Sequence, residues 1–261
     1  MKIVIVNQKG GVGKSTITIN LGYSLAQYKK RTLVIDLDPQ AHSSGIYAPV
    51  LPKEETISAI FDNRKVNVDN LVCPATLTYG EEDNEKKEAI DNLFVIPSTI
   101  HLATSSENVI SRIHREKILH SHLKKIEKKF DYILIDCPPT LGVLTTNAVF
   151  TADLIVIPTI YSKNSLDGIA DLFNCIAQVK ESENYNYKIL RNMRDSRSTR
   201  TNNMIEQILK EFKDHLYHTI IRKNEAINQA QLIDQPIFVF DPKSPGVEDF
   251  NSLTKEILNY G

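Results

Sequence analysis

The segment QKGGVGKS (residues 8–15) limits what this chain can fold into more than any other feature. It follows the apolar run KIVIVN (2–7) and precedes a helical pattern from Ser15 to about Tyr28. A strand that enters a glycine-rich turn and leaves as a helix aims backbone N–H groups and a helix N-terminus at one point, which suits phosphate. Gly10, Gly11 and Gly13 let the backbone come close to an anion, with Val12 and Thr16 completing the loop. Lys14 is placed to reach β- and γ-phosphates, and the Ser15 hydroxyl to bind Mg2+. A glycine-rich turn that binds nothing would need neither the strand, the helix nor the GKS ending. The loop departs from the usual G-x-x-x-x-G-K-[ST] pattern in two ways. Gln8 stands where the first glycine belongs, and Lys9 adds a second lysine.

Short β-branched runs alternate with helical stretches along the rest of the chain. The runs are RTLVID (31–36), NLFVIP (92–97), YILIDCPP (132–139), DLIVIP (153–158), YKILRN (187–192) and HTII (218–221). They are apolar throughout, as parallel strands covered on both faces must be. The expected fold is therefore α/β: a doubly wound, mostly parallel sheet flanked by helices, built of right-handed βαβ units. One domain spanning 1–261 is expected, because no stretch reads as a linker. The polar segment TYGEEDNEKKEAIDN (78–92) reads as an exposed loop. Near the end, Ser244 is a candidate N-cap with Pro245 at the first helical position, and Val247, Phe250, Leu253 and Ile257 follow at helical spacing.

Aspartates stand at two strand ends. Asp36 and Asp38 follow the second run, and Asp136 closes YILID. Ligands of open α/β sheets bind at the carboxyl ends of strands. A carboxylate after four apolar residues is costly unless it serves a metal or a hydrogen-bond network. Asp136 reads as the acid that holds Mg2+, together with Ser15. Taken alone, each aspartate could equally be a turn or helix cap.

KGGVGKS, VIDLDPQ and YILIDCPPTLGVLTTNA, in this order, resemble the ParA/Soj branch of the deviant Walker A P-loop ATPases, relatives of MinD and of the nitrogenase iron protein. FVIPSTIHLATSSE (94–107), NMRDSRS (192–198) and QPIFVFDPKSPG (235–246) are similar too. The resemblance implies a P-loop NTPase fold, ATP and Mg2+ as cofactors, and a homodimer in the ATP state. It implies that Lys9 reaches the phosphates of the other subunit, a charge supplied in trans as an arginine finger is. It also implies that Asp36 helps hold Mg2+ and that Asp38 orients the attacking water, so that Lys9, Lys14 and Asp38 carry the hydrolysis. DLDPQAHSSG and DCPPTLG would be the two switch loops. Asn192 and Met193 are candidates for the base.

Within the family, a cluster-binding protein would need a second matching cysteine beside Cys137, and none is present. A MinD-like membrane regulator would end in a basic amphipathic helix, whereas the tail after Leu253 holds only Lys255, so no membrane contact is expected. The chain starts at its first strand, as the small form lacking an N-terminal helix-turn-helix domain does. Neither a signal peptide nor an apolar run of about 18 residues is seen, and three scattered cysteines fit a reducing compartment. The expected location is cytoplasmic and nucleoid-associated.

The net charge is −1, so any contact with nucleic acid must be local. Residues 186–224 hold nine lysines and arginines against four carboxylates, the footprint of a polyanion site. The resemblance matches Arg197 and Lys223 to basic family positions; Arg200 and Arg222 complete the expected surface for nonspecific double-stranded DNA. Ala226 stands where the family has an arginine, which lowers the expected affinity. The leading expectation is an ATPase that partitions plasmid or chromosomal DNA with a ParB-like centromere-binding partner. The alternatives are a relative that positions a protein cargo and the MinD-like regulator.

Overall fold

The computed structural model describes residues 1–79 and 86–260, the side chains of 163–168 excepted. Eight strands form one sheet in the order β3-β4-β2-β5-β1-β6-β7-β8. They are β1 (Lys2–Ile5), β2 (Thr32–Asp36), β3 (Cys73–Tyr79), β4 (Lys86–Ile96), β5 (Tyr132–Asp136), β6 (Leu154–Ile160), β7 (Tyr187–Arg194) and β8 (Leu216–Arg222). Every neighbouring pair is parallel except β3 with β4.

The α-helices are α1 (Lys14–Gln27), α2 (His42–Tyr47), α3 (Ser58–Asp62), α4 (His101–Asn108), α5 (Ile118–Leu123), α6 (Val143–Thr151), α7 (Lys163–Lys180), α8 (Thr199–Leu209), α9 (Glu225–Leu232), α10 (Ile237–Phe240) and α11 (Pro245–Tyr260). The apolar strands are explained by the two cores they serve. In β1, Ile3 and Ile5 pack with Ile17 and Leu21 of α1. Val4, between them, packs on the opposite face with Leu144 and Ala148 of α6. A strand with period 2 and helices on both sides needs an apolar residue at every position. Each fully buried valine or isoleucine contributes about 1.5–3 kcal/mol. Phe250, Leu253 and Ile257 of α11 are fully buried, and Gly246 N–H donates to Ser244 Oγ as a cap should.

The segment 78–92 is not a loop throughout, which corrects the sequence reading. Tyr79 ends β3 and Lys86 begins β4, and the two pair antiparallel at the sheet edge. Residues 80–85 lie outside the described residues. The alternation of β3, with Ala75 and Leu77 buried, is short and broken by Pro74, which sits at a bulge. The outer part of β4 is charged because both of its faces meet solvent there, so it carries no apolar signal.

β1 lies between β5 and β6, in the middle of the sheet. The glycine loop therefore leaves the sheet where β2 and β5 also end. Asp36 and Asp136 are register partners on those two strands.

Candidate functional site

Asn7 turns the end of β1 into the loop. Its Nδ2 donates to the Pro158 carbonyl (2.8 Å) and its Oδ1 accepts the Lys9 N–H (2.9 Å). Gly11 (φ 72°) and Gly13 (φ 86°) are both left-handed, a conformation that side chains resist. At Gly13 space matters as well: a Cβ would sit 2.5 Å from Asn192 Nδ2. That amide donates to the Val12 carbonyl at 2.8 Å and clamps the loop to β7.

The loop walls a cavity of about 450 Å3, with Lys14, Ser15, Thr16, Asp38, Pro139 and Met193 around it. Lys14 is buried and its Nζ lies 3.4 Å from the Lys9 carbonyl. Burial pushes its ammonium pKa down, opposed first by the Asp136 carboxylate. A cation that is this dry and only weakly satisfied is matched by an anion in the cavity.

Asp36 and Asp136 are fully buried. Burial raises the pKa of both, and the Asp136 charge raises that of Asp36 further. Both Asp36 oxygens have donors: Oδ1 accepts the Asp38 N–H (2.9 Å), while Oδ2 accepts the Ser44 N–H (2.9 Å) and hydroxyl (2.7 Å). Asp136 Oδ2 accepts the Ser43 hydroxyl at 2.6 Å, whereas among the described residues Oδ1 is buried without a partner. A buried carboxylate oxygen with no donor is the position a divalent cation would fill. Among the described residues, no three acidic, histidine or cysteine side chains form a metal cage. That suits a cation held by one carboxylate, the Ser15 hydroxyl and phosphate oxygens.

Ser43 and Ser44 are site residues that the sequence reading did not single out. They open α2 and fasten it to the ends of β5 and β2; Ser44 Oγ also accepts the Ser98 N–H (2.8 Å), beyond β4. The segment 36–45 is thereby tied to both acids. The only signal was the pair of small hydroxyls in AHSSG.

A family model described as an AAA domain matches residues 1–189. The sporulation initiation inhibitor protein Soj of Bacillus subtilis is 35% identical, aligned over 99% of this chain and 98% of its own. The chain belongs to the ParA/Soj family of P-loop ATPases. The chromosome partitioning protein ParA of Myxococcus xanthus is 34% identical, over 98% of this chain and 87% of its own. A putative plasmid partition protein from Borrelia burgdorferi, solved bound to AMPPNP, has a TM-score of 0.81 at 26% identity, covering 100% of this chain and 99% of that one.

Other residues expected from the family pattern are placed as follows. Asp38 is buried, lines the cavity and accepts the Gln40 N–H at 2.9 Å. Lys9 Nζ donates to Ser162 Oγ of its own chain. Met193, at φ 54°, reaches the cavity wall, while Asn192 opens on a smaller neighbouring cavity of about 100 Å3. Gln231 and Asp234, not singled out in the sequence, face the main cavity from α9 and the turn after it.

The expected DNA surface is largely paired internally. The Arg197 guanidinium forms two hydrogen bonds to Asp195 (3.0 and 2.9 Å) and its backbone N–H a third (3.0 Å), and Lys223 lies 3.8 Å from the same carboxylate. The Arg197 hydrogen bonds hold the Asp195 pKa well below the carboxylate range. Arg222 pairs with Asp249 (2.8 Å) and Glu248 (3.0 Å) of α11. Arg191 is half-enclosed and bound to Glu206 at 3.1 Å. Arg200 is exposed, and no ion pair ties it among the described residues.

Proposed function

We propose that this chain is an Mg2+-dependent ATPase that dimerises with ATP and partitions DNA together with a ParB-like partner. One observation carries the reading: the glycine loop and the serine-fastened segment 36–45 line one cavity, and Asp136, whose Oδ1 has no partner among the described residues, lies buried behind it, bonded to Ser43 and within reach of the Lys14 charge. Mg2+, held by Ser15 and Asp136 with Asp36 adding charge behind them, would neutralise the phosphates. Lys14 binds the β- and γ-phosphates. Asp38, on the cavity wall, would orient a water. Lys9 leaves Ser162 and reaches the nucleotide of the second subunit.

The two serines give the segment 36–45 a fixed resting position, from which a γ-phosphate and its cation can draw it. Such a segment makes dimerisation depend on ATP. The partition role rests on the relatives named for it, the chromosome partitioning protein ParA and the putative plasmid partition protein. Membrane attachment through the last helix is disfavoured, since the apolar face of α11 is buried in the core. Among the described residues no helix is long and apolar enough to cross a membrane.

The pairing of Arg197, Arg222 and Lys223 favours a second reading, a relative that positions a protein cargo and binds DNA weakly. Titrating mixed-sequence duplex with ATP, with ADP and without nucleotide tests both. Binding that requires ATP and weakens with salt supports partition. No binding at low salt removes the DNA role.

A further inference from the structure

A second concavity lies away from the nucleotide cavity and shares no residue with it. It has a volume of about 450 Å3 and is walled by Arg64, beyond α3, and by Ile113, His114, Lys117, His122 and Lys125 around α5. We infer that this groove docks an acidic peptide segment of a partner protein, one that brings an apolar side chain to Ile113.

Charge is the first argument. Residues 112–129 hold seven lysines and arginines against two glutamates, in a chain whose net charge is −1. Lys129 pairs with Asp69 at 2.6 Å, but at the groove itself the excess is poorly compensated from within. Arg64 and Lys125 are exposed, and no ion pair ties either among the described residues. Among the described residues, the acid that pairs with groove residues is Glu116, at the edge of hydrogen-bonding reach: 3.7 Å from His114 and 3.9 Å from Lys117. Such cations favour an acidic partner and exclude a basic one.

The second argument is His122. It is 4% exposed, lines the groove, and among the described residues its Nδ1 is buried without a hydrogen-bond partner. A buried polar atom left unpaired costs about 1–3 kcal/mol, so a ligand whose docking lets the ring turn toward it gains affinity. Burial, and then the Lys125 charge, lower the pKa of this ring and favour its neutral form. A neutral ring nitrogen needs a donor in one tautomer and an acceptor in the other. A peptide backbone offers both, while a fully ionised phosphate offers acceptors alone.

Shape and apolar surface give the third. Ile113 is 78% exposed at the groove edge, and Ile110 nearby is 56% exposed. A phosphate ion would leave them uncovered. Duplex DNA presents a convex backbone, whereas this site is a concavity of side-chain size. An extended chain that alternates carboxylates with an apolar residue meets the cations, the histidine and Ile113 together.

The test is fluorescence anisotropy with a fluorescein-labelled peptide in which glutamates flank a leucine pair. The counterpart with lysines for glutamates, inorganic pyrophosphate and mixed-sequence duplex serve as competitors. Saturable binding is expected, weakened at least about tenfold by R64E/K125E and about fivefold by I113D. ATP affinity should be unchanged in both variants, which shows that they fold. No saturable binding, or equal affinity for wild type and R64E/K125E, overturns the proposal. Displacement by pyrophosphate or duplex as effective as that by unlabelled peptide also overturns it and assigns the groove to phosphate.

Discussion

Lys9 Nζ donates a 2.9 Å hydrogen bond to Ser162 Oγ. The extra lysine of the loop is therefore held by its own chain, at the residue that opens α7. To serve a second subunit it must first give up this contact. Among the described residues the Ser162 hydroxyl makes no capping bond to α7, so removing it leaves the helix start intact. A partly exposed, charge-assisted hydrogen bond contributes about 1 kcal/mol. Ser162→Ala should therefore strengthen the ATP dimer by about two- to fivefold, and Lys9→Ala should weaken it. Light scattering in saturating ATP checks both. A Lys9→Ala protein that dimerises and turns over like wild type would sink the trans role.

Asp38 and Lys14 should separate hydrolysis from binding. Asp38 accepts one N–H, that of Gln40, and its loss costs the fold little. Asp38→Ala should bind ATP, hydrolyse it about 100-fold more slowly and accumulate as dimer. Lys14→Ala removes the charge nearest the phosphates and should weaken ATP binding at least about 100-fold. Calorimetry and phosphate release measure the pair. An Asp38→Ala protein that stays monomeric in ATP would refute the assignment of segment 36–45 as a switch.

Much of this architecture was legible because the parallel strands are buried on both faces, so Ile3, Val4 and Ile5 announce a central strand without any partner being known. The strand–loop–helix order and the acids at strand ends were legible for the same reason: register carries Asp36 and Asp136 to one edge. What stayed hidden was tertiary. β3 is a short edge strand with a proline, and its partner β4 is half solvated. Ser43 and Ser44 gain meaning only when α2 folds back onto two distant strands. The neutralisation of Arg222, at the end of β8, comes from Asp249 on α11, outside any local count of charge.

The α5 histidines give the chain a pH dependence with a definite sign. Burial, and then Lys125, hold the His122 pKa below the ordinary 6.5. Burial and then Lys124 do the same for His120. A histidine that resists protonation when folded stabilises the fold above the unfolded value. That stability is lost as pH falls from 6.5 toward the lowered value, because the unfolded chain takes the proton first. Urea midpoints should fall over this window, and His122→Asn should flatten part of the slope. An unchanged slope in the variant would mean that the ring is not kept neutral by burial.

The pairing pattern ranks the cations of the DNA surface. Arg200 is exposed and unpaired among the described residues, so it can meet a phosphate without giving up an acid. Arg222 must first leave Asp249 and Glu248, and Arg197 must leave Asp195. Exposed pairs are worth only about 0–1 kcal/mol, so exchange remains possible, but it offsets part of each new contact. Arg200→Ala should therefore weaken binding of mixed-sequence duplex more than Arg222→Ala does. Every true phosphate contact that is lost should lower the salt slope by about one, for all sequences alike. Asp195→Asn removes the carboxylate shared by Arg197 and Lys223 and frees two cations at once. Its affinity should rise about three- to tenfold at low salt, and its salt slope should steepen. Fluorescence anisotropy at two salt concentrations, in ATP, measures all three variants. If Asp195→Asn binds no more tightly than wild type, the Arg197 surface does not face DNA and the contact must be sought elsewhere on the dimer.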